Sequence, residues 1–125
     1  MRERFDFRRL ALLALLMLIV AAPARAQSTA TLQGTVTDAQ NAVAVGGLAE
    51  VAFERARYSD AMDFARRAAR LAPKSPKYLV LAGDAYFKLL RYDDALRSYE
   101  KARALAPQDD EVKNRLERVR AKVGK

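Results

Sequence analysis

The chain has 125 residues, 51% of them hydrophobic, and 23 Lys and Arg stand against 15 Asp and Glu for a formal net charge of +8. That length holds one domain. Neither His nor Cys is present, which excludes imidazole- and thiolate-dependent hydrolases, redox centres and zinc sites. No catalytic residue, metal site or cofactor is therefore predicted, and the fold must hold without disulfides.

Residues 1–26 read as an export signal. Arg2, Arg4, Arg8 and Arg9 make a basic start, Leu10–Ala22 is an apolar run of 13 residues, and Ala24-Arg25-Ala26 is a small-x-small triplet. That order is the pattern of a cleavable secretory signal. The apolar run falls short of the roughly 20 residues that a membrane-spanning helix needs, so cleavage after Ala26 is expected; left uncleaved, the segment would anchor the chain in the inner membrane. The predicted address is the periplasm of a bacterium. Removing residues 1–26 takes away five Arg and two acids, leaving 18 basic and 13 acidic residues, a net +5. An exported chain of that charge is not expected to bind nucleic acid.

Residues 27–41 are polar and lack helical periodicity, which predicts a flexible leader. Within it Ala30–Asp38 alternates like a strand, but a lone strand has no partner for its backbone. From Ala42 onward the composition turns to Ala, Leu, Arg and Glu, strong helix formers. Sliding the chain by 34 residues lays Arg57-Tyr58-Ser59-Asp60-Ala61 over Arg91-Tyr92-Asp93-Asp94-Ala95, and Leu71-Ala72-Pro73 over Leu105-Ala106-Pro107. Eight positions of the windows 57–73 and 91–107 are identical. Helices are predicted at 43–56, 59–72, 76–90, 93–106 and 109–123. Ser59 and Asp93 are read as N-caps, Pro73 and Pro107 as stops, and Pro76 as an opening residue. Gly46-Gly47 costs roughly 1 kcal/mol per Gly relative to Ala and pulls the predicted start of the first helix toward Leu48. Loops this short make neighbouring helices antiparallel.

Leu79, Ala82, Gly83 and Tyr86, followed by Ala95, Tyr99, Ala102 and Pro107, have the spacing of a tetratricopeptide repeat. Residues 76–109 resemble that family, with Leu79 in place of the usual Trp. Residues 42–75 resemble a degenerate copy, in which Val45, Leu48, Ala49, Ala52, Ala61, Ala65, Ala68 and Pro73 fall in register and Ala52 and Ala65 replace aromatics. The implied fold is all-α: a solenoid of two helical hairpins over residues 42–123, closed by a capping helix at 109–123 with Val112, Leu116, Val119 and Val123 on one face. The packing seats are expected at Leu48, Ala61, Ala68, Pro73, Leu79, Ala82, Gly83, Tyr86, Ala95, Tyr99, Ala102 and Pro107. Two repeats are fewer than such stacks usually need, so marginal stability or self-association is expected.

The resemblance also implies a function: an adaptor, not an enzyme, that binds another protein or peptide in a groove lined by the first helix of each repeat. The implied groove residues are Val43, Glu50, Phe53 and Glu54, then Lys77, Val80, Asp84, Phe87 and Lys88, with Asn114 and Arg118 from the cap. Some relatives clamp a C-terminal carboxylate there, but Gly46, Glu50, Val80 and Asp84 hold the corresponding places and would repel or ignore one. The same face can equally be read as ordinary packing aromatics between solvated charges. A rival function is a basic module that meets anionic lipid or polysaccharide through Arg66, Arg67, Arg70 and Arg118. Membrane contact is otherwise expected only through an uncleaved signal.

Overall fold

The computed structural model describes the backbone of residues 24–124 and the side chains of residues 37–124. Five α-helices follow in order: α1 Ala24–Glu54, α2 Tyr58–Leu71, α3 Pro76–Lys88, α4 Tyr92–Leu105 and α5 Asp110–Val123. No strand occurs among the described residues. The chain divides into two units, Met1–Val36 and Thr37–Lys125, and all packing described below belongs to the second. Most of the expected signal, residues 1–23, lies outside the described residues.

From α2 onward the helices sit within two residues of their predicted ends. The largest departure is at α1. Its helical backbone takes in the whole stretch expected to be a flexible leader, and it runs unbroken through Gly46-Gly47. A helix without an apolar stripe over its first turns gives no periodic signal, which is why the sequence pattern missed it. Gly46 also has a packing reason to be Gly: a Cβ there would run into the ring of Tyr78, with Cδ1 at 3.1 Å and Cζ at 3.2 Å.

The 34-residue offset is visible in detail. Both hairpin turns are Schellman motifs. In the first, Ala56 N–H donates to the Phe53 carbonyl and Arg57 N–H to that of Ala52; in the second, Leu90 N–H donates to Phe87 and Arg91 N–H to Tyr86. The αL residues are Ala56 (φ 58°) and Leu90 (φ 62°), seats that glycine usually fills. These turns set the caps of the following helices two residues earlier than Ser59 and Asp93 imply. The N-cap positions are Arg57 and Arg91, neither of which caps through its side chain. Asp60 and Asp94 instead reach back to them, in ion pairs Arg57–Asp60 at 3.7 Å and Arg91–Asp94 at 2.7 Å. Pro76 opens α3 as expected, and Asp109 caps α5, accepting hydrogen bonds from the Glu111 and Val112 amides.

Leu90 is 71% exposed, so Leu90→Gly forfeits little burial while relieving an αL leucine. The left-handed conformation costs a non-Gly residue roughly 1–2 kcal/mol, part of which returns as greater freedom of the unfolded glycine. A net gain of about 1 kcal/mol is expected, a rise of roughly 4–8 °C in melting temperature for a domain of this size. A thermal melt checks it; an unchanged or lower midpoint refutes the turn geometry.

Alanines dominate the core. Ala49, Ala52, Ala61, Ala65, Ala85, Ala95 and Ala102 are fully buried, and Met62, Tyr86 and Tyr99 keep only a small fraction of their surface exposed. Small side chains let the helix backbones approach closely. Bulk comes from the capping helix, whose Val112, Leu116 and Val119 are the largest fully buried side chains. A smaller cluster joins Ala42, Val45, Ala68 and Tyr78. Three expected packing residues behave differently. Leu48 is 53% exposed, because its face of α1 has no neighbouring repeat within residues 37–124 to cover it. Pro73 and Pro107 are also exposed; they act by ending helices rather than by filling space.

Candidate functional site

The first helix of each hairpin and the cap, α1, α3 and α5, carry the residues expected to line a groove. Position 50 of α1 and position 84 of α3 are 34 apart, and each holds an acid that reaches the next helix of the series. Glu50 Oε1 pairs with Lys77 Nζ at 2.8 Å. Asp84 Oδ1 accepts from Arg115 Nε at 2.9 Å and from the Tyr99 hydroxyl at 2.6 Å. Arg115 also pairs with Glu111 one turn before it. A ladder of acid–cation contacts therefore crosses this face.

Asp84 thus departs from the expectation of a ligand-facing acid. Its carboxylate is spent on holding α3, α4 and α5 together, and Arg115, which the sequence reading passed over, is its partner. Burial raises the Tyr99 phenol well above its usual pKa, and the hydrogen bond to Asp84 adds to the shift. Arg115 feels an opposing penalty from burial, but hydrogen bonds to Asp84 and Glu111 outweigh it and raise its pKa further. The hydrogen bond and charge of Glu50 likewise raise Lys77. All three groups keep their protons at neutral pH.

Phe53 and Phe87 are equivalent too. Phe53 meets Tyr58 edge-on at 5.3 Å and 65°, and Phe87 meets Tyr92 at 5.2 Å and 65°. Both phenylalanines, and Val80 with them, are half-buried and pack on the main core. They contribute to packing and still present an edge to solvent. Lys88 places its ammonium 6.0 Å from the centre of the Tyr58 ring, bridging the two repeats. Val43, Glu54, Asn114 and Arg118 are exposed. The structure therefore brings Glu50 to Lys77 and Lys88 to the first-repeat turn, while Glu54, Asn114 and Arg118 stand free of any ion pair among the described residues.

Three cations of the anionic-ligand reading, Arg66, Arg67 and Arg70, line one site on α2 with Asp63 and Phe64, and Arg118 is not part of it. Arg66 and Arg70 line a cleft of about 890 Å³ on the opposite pair of helices, α2 and α4, but its other cations are Arg97 and Lys101, not Arg67 or Arg118. Its floor is Leu79, Ala82 and Tyr86 of α3. The available signal was two pairs of cations four residues apart, Arg66 with Arg70 and Arg97 with Lys101, on the second helices of the two hairpins. Among the described residues no helix is long and apolar enough to cross a membrane, and no group of acids could hold a metal ion.

Comparison with known proteins agrees with this geometry. Residues 26–102 match the family described as "Anaphase-promoting complex, cyclosome, subunit 3". Among solved structures, the chain is similar to the Arabidopsis OM64 TPR domain, with 15% identity, a TM-score of 0.67, and coverage of 69% of this chain and 71% of that one. It is also similar to the Sgt2 TPR domain of Aspergillus fumigatus, with 25% identity, a TM-score of 0.64 and coverage of 66% of this chain. The chain spans about half of that second domain, 55% of its length. No curated protein matches the chain. With a family match over more than half its residues and helical hairpins repeating every 34, the chain belongs to the tetratricopeptide-type family described as "Anaphase-promoting complex, cyclosome, subunit 3".

Proposed function

We propose that the chain is an exported, periplasmic adaptor that holds a peptide segment of another protein across the face made by α1, α3 and α5. Domains of this type mediate protein–protein interaction. The observation that carries the reading is the two-fold repetition of Phe53–Tyr58 and Phe87–Tyr92, with Phe53, Phe87 and Val80 all half-buried on α1 and α3. Two equivalent apolar edges spaced by one repeat suit alternate side chains of a bound segment. The acids of that face are already neutralised by Lys77 and Arg115, so its free charges are Glu54, Lys88 and Arg118. Lys88 and Arg118 favour acidic groups flanking the apolar anchors of the ligand.

The test is affinity capture from envelope extracts with wild-type chain, Lys88→Glu/Arg118→Glu and Phe87→Ala, each checked for an intact thermal transition. Capture of a specific protein by wild type, lost in both variants, is the expected result. A captured set identical in all three removes this face as the binding site. Intact-mass measurement of periplasmic material checks the address, and a mass that still contains residues 1–26 retires signal cleavage.

A further inference from the structure

We propose that the cleft between α2 and α4 is a second docking surface, and that its occupant is an acidic amphipathic helix of a partner protein. Three features of the cleft carry this. Its floor is apolar, made by Leu79, Ala82 and Tyr86, and Leu105 adds an edge that is 42% exposed. Its walls are basic: Arg66 and Arg70 on α2 face Arg97 and Lys101 on α4. The single acid on the rim is Asp94. Burial works against the charge of Asp94, but hydrogen bonds from Arg91 and Arg97 prevail and hold its carboxyl below the usual range.

The spacing identifies the occupant. On each wall the two cations stand four residues apart, about 6 Å along a helix axis. Acids at i and i+4 on a helix lying along the cleft recur at the same interval, and its apolar residues at i, i+3 and i+7 would face the floor. Arg66, Arg70 and Lys101 make no ion pair among the described residues, so acids of a partner would meet cations that need not first leave another carboxylate. The volume of about 890 Å³ lies in the range of clefts that enclose sizeable ligands. The surface involves helices α2 and α4 and stands independently of the α1–α3–α5 face.

The experiment titrates the full chain into a fluorescein-labelled synthetic helix of about four turns, with Leu at i, i+3 and i+7 and Glu at i, i+4 on both flanks, followed by anisotropy. Binding is expected, weakening about tenfold or more in Arg66→Glu/Lys101→Glu, which alters only exposed side chains, and in Leu79→Trp, which fills the cleft. Lys88→Glu, on the other face, leaves it unchanged. Three results overturn the proposal: no binding beyond that of the same peptide with Lys for Glu, equal affinity in all variants, or loss of phosphatidylglycerol-vesicle binding in the same variants without any binding of the peptide. Circular dichroism melts verify that each variant is folded.

Discussion

Asp84→Ala is expected to lower the stability of the domain by about 2 kcal/mol, a large share of what a chain this small possesses. The substitution leaves the Tyr99 hydroxyl and the Arg115 guanidinium without their common acceptor, and with it the link among three helices. Asp84 and Arg115 each keep about a quarter or less of their side-chain surface exposed, 24% and 21%. Water therefore recovers part of the loss, which places the effect below that of a fully buried pair. Asp84→Asn retains an acceptor for Tyr99 and should cost roughly half as much. Urea denaturation reads both: the midpoint should fall while the slope stays constant. A shift within about 0.5 kcal/mol of wild type would show that the three-way contact contributes little.

Gly83→Ala is expected to destabilise by about 1 kcal/mol net although alanine is the better helix former. A Cβ at Gly83 would lie 2.7 Å from Cδ1 and 3.0 Å from Cζ of Tyr99, inside any normal contact. The ring cannot swing away cheaply, because its hydroxyl is tied to Asp84. Overpacking of this kind costs roughly 1–3 kcal/mol, more than the roughly 1 kcal/mol gained in helix propensity. Gly47→Ala is the internal control: nothing lies within 4 Å of its added methyl, and it should stabilise by about 1 kcal/mol. Melting curves of the two variants should move in opposite directions, and movement in the same direction would contradict the close helix crossing at Gly83.

The repeat was readable because equivalent seats demand the same chemistry: Ala61 and Ala95 are both fully buried, and no larger residue would let the hairpin close. What escaped the sequence has particular causes. The turns at Ala56 and Leu90 adopt a left-handed residue without the glycine that normally announces one, so Ser59 and Asp93 looked like caps when the helices had already begun. The Gly46-Gly47 pair was counted only as a propensity cost, because the ring of Tyr78 that fills the space comes from 32 residues later. Asp84 was read as an acid awaiting a ligand for the same reason: its partners are 15 and 31 residues away, and no local pattern connects them. The packing of the repeat is legible from spacing alone, whereas the pairing of charges across helices is not.

The acid seat shared by Glu50 and Asp84 recurs once more, 34 residues on, at Arg118. There its sign is reversed. Stepping backward from Lys77 and Arg115 by one and two repeats lands on Val43 and Gly47, so α1 offers no cation at the seats that meet such an acid. Neither terminus of the stack thus carries the charge that would let another copy continue the ladder from head to tail. Open-ended stacking is how a heterologous contact makes fibres; a head-to-tail contact between copies would draw nothing from this charge ladder.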